Sequence, residues 1–147
     1  MKKKMGPSSS TEFQTLLRQA GYKATPARLA ILQLLEKNTR PISIQEIQQQ
    51  FGRKKTMDQA TIYRTLEVLQ LMGLIRSVDL HQGRSYYELH DPHDHHHIIC
   101  VKCERIEDFS GCKIESLQQR ALKQTSGFAK ILEHSLELFG VCKKCST

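Results

Sequence analysis

Cys100-Val-Lys-Cys103 and Cys142-Lys-Lys-Cys145 are two Cys-x-x-Cys pairs. Each is able to present two thiolates to one tetrahedral ion at bonds of about 2.3 Å. Together they predict one four-cysteine structural zinc site. The 38 residues between the pairs exceed zinc-ribbon spacing, so the ion is expected to tie a sheet edge to the chain end rather than fold an independent finger. Disulfides are disfavoured because no secretory signal is read at the start of the chain. A redox pair is disfavoured because no helix is expected to start at either motif. Cys112, the fifth cysteine, reads as an ordinary packed thiol.

The second constellation is His93-Asp94-His95-His96-His97, with His90 just before it and Asp108, Glu115 and His134 later. Alternation along a strand sends His95 and His97 to one face and Asp94 and His96 to the other, so one extended segment can serve two metal sites. All seven histidines and all five cysteines lie after residue 80, which favours ligands over a solvated histidine loop. The third constellation is Ala60-Thr61-Ile62-Tyr63-Arg64-Thr65-Leu66. On a helix it carries Tyr63 and Arg64 outward, where arginine can bind guanine bidentately and tyrosine can meet a thymine methyl or a phosphate.

The elements that must position these groups follow from periodicity. Residues 1–10, basic and serine-rich, read as a disordered tail. A short helix over 12–20 ends at Gly21. Thr25-Pro26 then supplies a cap and a first-turn proline for a helix running to about residue 37. Ser43 with Glu46 forms a capping box for a third helix carrying Ile44, Ile47 and Phe51. Asp58 caps a fourth, whose Ile62, Leu66 and Leu69 face inward. Two alternating stretches, 74–79 and 84–89, flank Gly83 as a hairpin. After Asp91-Pro92 a strand over 98–101, a helix over 114–124 and a final strand over 131–141 are expected.

Composition, 39% hydrophobic and 25% charged over 147 residues, is that of an ordinary globular chain of one domain or two small ones. Residues 1–76 hold 13 Lys/Arg against 5 Asp/Glu, whereas residues 77–147 hold 9 against 10. The basic half favours a polyanionic partner, nucleic acid being the commonest in the cytosol. No apolar run is long enough for a membrane span, and the lysine-rich start lacks the apolar core of a signal peptide. A cytoplasmic location and no membrane partner are therefore expected. A zinc hydrolase or deaminase is disfavoured, since neither His-Glu-x-x-His nor the deaminase His-x-Glu with Pro-Cys-x-x-Cys occurs. The chain is read as a non-enzyme. A zinc-ribbon interaction or metal-buffering protein without DNA binding is the alternative of another class.

The helix motif at 60–66, the segment His95-His-His-Ile-Ile-Cys-Val-Lys-Cys103 and the segment His134-Ser-Leu-Glu-Leu-Phe-Gly-Val-Cys142 closely resemble the ferric uptake regulator family. The resemblance runs over about residues 12–145, with the motifs in the family's order and spacing. It implies dimeric, metal-activated repressors in which a winged-helix domain is hinged to a dimerisation domain. The fold class is then α+β: an N-terminal winged helix-turn-helix over 11–89, a hinge over 90–94, and a small α/β dimerisation domain with the four-cysteine zinc site over 95–147.

By the same likeness Lys23, ahead of Thr25-Pro26-Ala27-Arg28, resembles a minor-groove lysine, while Thr61, Tyr63 and Arg64 lie on the DNA-reading helix with Arg28 nearby. Glu88, His95, His97 and Asp108 match a hinge-spanning regulatory site. Asp94, His96, Glu115 and His134 match an additional site. One departure is Pro41, at the start of the third helix, where iron and peroxide sensors of the family carry a ligating histidine. Asp79 resembles the aspartate that replaces it in zinc sensors, and Glu88 or His90 takes the place of a further ligand. The implied function is metal-dependent repression at palindromic operator DNA as a homodimer. Zn2+ is placed ahead of Fe2+ or Mn2+ as the regulatory metal, and iron-, manganese- or peroxide-responsive members are the alternative.

Overall fold

The computed structural model describes residues 9–54, 56–81, 83–91 and 95–147. The chain divides into two compact units, Met1–Pro92 and His93–Thr147. Most of the tail expected over residues 1–10 lies outside the described residues. Its last residue, Ser10, already belongs to a helix, which Ser9 caps by accepting the Glu12 amide on its hydroxyl at 3.2 Å.

The first unit runs α1 (Ser10–Gln19), α2 (Pro26–Lys37), β1 (Ile42–Ser43), α3 (Ile44–Arg53), α4 (Gln59–Leu71), β2 (Ile75–Asp79) and β3 (Ser85–Leu89). Each helix starts where a side-chain oxygen satisfies an orphan amide. Thr25 caps α2 and Asp58 caps α4, while Ser43 and Glu46 complete the capping box of α3. The apolar stripes converge in one core that includes Phe13, Leu17, Ile31, Leu35, Ile47, Phe51, Ile62, Leu66 and Leu69. Burying each such side chain contributes roughly 1.5–3 kcal/mol, which holds the four helices together.

The hairpin pairs Ile75 with Leu89 and Asp79 with Ser85, turning where Gly83 takes a φ of 67°. Pairing of Ile42 with Tyr87 and Ser43 with Tyr86 adds β1 to its other edge, giving the order β1-β3-β2. Two residues are too few to show alternation, so β1 is invisible until β3 is there to pair with it.

The second unit contains β4 (His96–Cys100), β5 (Ile106–Phe109), α5 (Ile114–Gln124) and β6 (Glu137–Gly140), with sheet order β5-β4-β6. β4 pairs antiparallel with β5 and parallel with β6. Two expectations are corrected here. The strand placed at 98–101 begins at His96 because His96 and His97 pair with Phe109 and Asp108 of β5. The final strand, read over 131–141, is confined to Glu137–Gly140, the stretch that faces His97–Cys100. β5 was not expected, because Ile106–Phe109 has neither length nor alternation.

A local prediction follows for α4. Asp58→Ala removes the acceptor of the Thr61 amide, a bond of 2.7 Å, and is expected to cost about 1 kcal/mol in urea denaturation.

Candidate metal centres and nucleic-acid helix

The parallel pairing of β4 with β6 puts Cys100 opposite Gly140, so both Cys-x-x-Cys turns leave the sheet at the same end. At the first turn the Glu104 amide donates to the Cys100 carbonyl at 2.9 Å. At the second the Cys145 amide donates to the Cys142 carbonyl at 2.9 Å. The four sulfurs of Cys100, Cys103, Cys142 and Cys145 lie within 4.8 Å of one another. The Cys103 and Cys142 sulfurs are 3.6 Å apart. That is far from a disulfide bond of about 2.05 Å and close to the ~3.8 Å edge of a tetrahedron with 2.3 Å metal–sulfur bonds.

The ionisation of the group is uneven. The Cys142 amide, 3.3 Å from the Cys100 sulfur, and the Cys103 amide hold the Cys100 thiol down at about 6. For Cys142 burial pushes upward, but the Cys145 amide and the neighbouring thiols outweigh it and the thiol lies below its ordinary value. Cys145 is pushed up to about 12, first by its hydrogen bond with Cys103. Four thiolates cannot crowd together without a cation, so the arrangement suits a dication that displaces the remaining protons.

The histidine strand serves two positions within the second unit. The rings of His95 and His97 are 5.2 Å apart, and His97 Nε2 lies 3.6 Å from Asp108 Oδ1. His96 belongs elsewhere: its Nε2 is 2.8 Å from the Cys112 sulfur and 3.5 Å from His134 Nε2. Cys112, read from the sequence as a packed thiol, thus meets two imidazoles. Only a distance could have revealed this, since no spacing pairs residue 112 with 96 or 134. Glu115, exposed in the first turn of α5, is not part of this three-residue group. Asp94 lies outside the described residues.

The first-unit candidates for the regulatory site do not share one position. Glu88 is buried and paired with Arg76 at 2.6 Å. Asp79 sits three residues further along the hairpin, opposite Ser85, which is about 10 Å at strand rise. Its carboxylate is exposed and accepts the His81 amide at 2.8 Å. His90 is exposed, and its amide donates to the Leu74 carbonyl at 2.9 Å. Asp79 and Glu88 therefore cannot ligate one ion in this conformation.

Helix α4 buries Ile62, Thr65, Leu66 and Leu69 and leaves Tyr63 49% exposed, with Arg64 beside it. Thr61 is half-buried. Hydrogen bonds from Thr61, its backbone amide first, hold the Asp58 carboxyl below its usual range. The Arg64 Nε donates to the Ala60 carbonyl at 3.3 Å, which lays the side chain along the helix. Lys23 is exposed, and its carbonyl accepts from the Arg28 guanidinium at 2.6 Å. That guanidinium also stacks 5.5 Å from the centre of the Tyr22 ring, a favourable cation–π position. Arg28 therefore braces the turn that carries Lys23.

Residues 19–139 match the description of the ferric uptake regulator family. The chain belongs to the ferric uptake regulator family. It is 35% identical over 132 residues to the ferric uptake regulation protein of Neisseria gonorrhoeae, spanning 88% of this chain and 90% of that one. It is 33% identical to the peroxide-responsive repressor PerR of Staphylococcus epidermidis, over 88% of this chain and 85% of the other. Among solved structures, the ferric uptake regulator of Francisella tularensis with iron matches at a TM-score of 0.73 and 33% identity, covering 86% of this chain and 96% of that one. The Helicobacter pylori regulator Fur, described as having three functional metal-binding sites, matches at 0.78 and 26% identity over 100% and 98% of the two chains.

As a ferric uptake regulator family chain, the protein is a metal-responsive regulator with a winged helix-turn-helix unit and a mixed helix-and-sheet second unit. Its buried Pro41 lies immediately before β1. A proline side chain offers no ligand atom to a metal, so this position is closed to coordination in this family member.

Proposed function

We propose that this family member is a homodimeric, metal-dependent repressor that reads operator DNA with α4 when a regulatory divalent cation is bound. The outward face of α4, with Tyr63 and Arg64 projecting from a net-basic half of the chain, carries the reading. Zinc in the four-cysteine cluster would supply the structural staple. His95, His97 and Asp108 of the second unit would hold the regulatory ion, and Lys23 would reach the minor groove. The location would be cytoplasmic. No described helix is long and apolar enough to cross a membrane.

The second unit supports self-association. α5 buries no residue within the chain, and Leu117, Leu132, Leu138 and Phe139 are exposed, Leu132 at 82%. Apolar surface of this extent on so small a unit asks for a partner, and a second copy satisfies it by symmetry.

Zinc is the proposed regulatory ion because the imidazole-rich set suits a borderline cation and Pro41 removes a position at which relatives that sense iron carry histidine. The relative named a ferric uptake regulation protein favours iron as the second reading. Mobility shifts on operator-length DNA with Zn2+, Fe2+ and Mn2+ added to chelated protein separate them. No shift with any of the metals would sink both readings and leave a buffering protein, whereas a shift indifferent to metal would sink the metal dependence alone. Lys23→Ala is expected to weaken binding across sequences and lower the salt slope by about 1, whereas Arg64→Ala should cost about 1–3 kcal/mol and relax base preference. Salt-dependent titrations distinguish the two.

A further inference from the structure

We propose that Cys112 takes the place of the Glu115 carboxylate at the additional site that His96 and His134 match by resemblance, making it a sulfur–imidazole site for zinc, separate from the four-cysteine cluster. The three donor atoms come from three segments of the second unit: β4, the turn after β5 and the segment before β6. They close a triangle with edges of 2.8 Å for His96–Cys112, 3.5 Å for His96–His134 and 3.8 Å for Cys112–His134. A tetrahedral zinc bound by two imidazole nitrogens and one thiolate requires edges of about 3.3 Å between nitrogens and about 3.6 Å between nitrogen and sulfur. Two edges already agree to within a few tenths of an ångström. The third opens by less than 1 Å by the same estimate, a movement within side-chain rotation.

The backbone builds the site deliberately. Gly111 takes a φ of 90°, a left-handed conformation that glycine alone adopts cheaply, and this turn delivers Cys112 to the imidazoles. His96 is buried, its ring 5.4 Å from that of Phe109 and 5.1 Å from that of His134. Cys112 and His134 are half-buried, which leaves a path for an ion. A thiolate in place of a carboxylate moves the preference from hard cations such as Mn2+ toward zinc. The inference concerns metal binding only and does not rest on the DNA-reading role of α4.

The test uses the full-length protein with its four-cysteine cluster already loaded with zinc, titrated with Co2+ as a spectroscopic probe. A further equivalent of Co2+ is expected to develop a thiolate-to-cobalt charge-transfer band that is missing in Cys112→Ser. In the wild-type protein, Zn2+ at about ten times its dissociation constant should slow alkylation of Cys112 ~tenfold, a readout that needs no variant to fold. A Co2+ spectrum without sulfur character, the same band in Cys112→Ser, or alkylation of Cys112 unchanged by Zn2+ would each overturn the proposal and leave a hydrogen-bonded triad.

Discussion

Cys100→Ser is expected to unfold the second unit while the helices of the first remain. The reason lies in how little that unit buries. Over His93–Thr147 its buried apolar residues are Ile99 and Cys100 among the described residues, and its strands are four or five residues long. A unit of this size does not offset the entropy of ordering its chain by apolar burial alone. Zinc bound by four thiolates contributes apparent free energies of about 10–16 kcal/mol in small domains, enough to decide the balance. Removing Cys100 takes away the ligand most readily ionised, with its thiol at about 6, from the end of the central strand.

Far-ultraviolet circular dichroism together with zinc content checks the result: the part of the signal contributed by the second unit and stoichiometric zinc should be lost together. A zinc-free variant with an intact second unit would show that the cluster is dispensable. Acid should act in the same direction as the mutation. Cys145, pushed up to about 12, keeps its proton at pH 7 until a cation displaces it. Below pH 6 Cys100 is protonated as well. Zinc affinity therefore falls as pH falls, and loading at pH 7 releases protons measurable in weak buffer.

The second large effect is expected from His97→Ala, which should abolish metal-dependent DNA binding yet leave a folded, zinc-containing dimer. His97 is buried, with its Nε2 3.6 Å from Asp108, and it shares no ligand with the cysteine cluster. If it ligates the regulatory ion, its loss should weaken that ion's binding by at least the ~100-fold that supporting residues around metals command. A ligand shifts a conformational balance only by its differential affinity, so losing the site loses the switch. Metal-titrated mobility shifts read the first consequence and sedimentation reads the second. Dissociation of the dimer in His97→Ala would move this residue from sensing to assembly.

The local code was legible in unequal degrees. Helix starts at Thr25, Ser43 and Asp58 followed from side-chain oxygens at fixed spacing, because an N-cap acts within three residues of itself. The helix at Ile114–Gln124 and the inward stripe of α4 followed from period. β1 and β5 did not, since strands of two and four residues exist only through partners distant in sequence. The same division runs through the metal chemistry. Cys100, Cys103, Cys142 and Cys145 are paired by their own spacing, so one dication was foreseeable. Asp79 and Glu88, both plausible by residue type, are held apart by the register of one hairpin.

By itself the sequence determined the caps and stripes of the helices, the basic first half, the two cysteine knuckles and, through its motifs, the family. Those are properties of neighbours along the chain. Only the tertiary structure decided that a parallel pairing brings the two knuckles to one sheet end, and that Cys112 meets His96 and His134. The physical reason is that a coordination site is a set of distances between strands and loops. Strand register and a glycine turn set those distances, whereas residue type sets only what chemistry is possible once they are met.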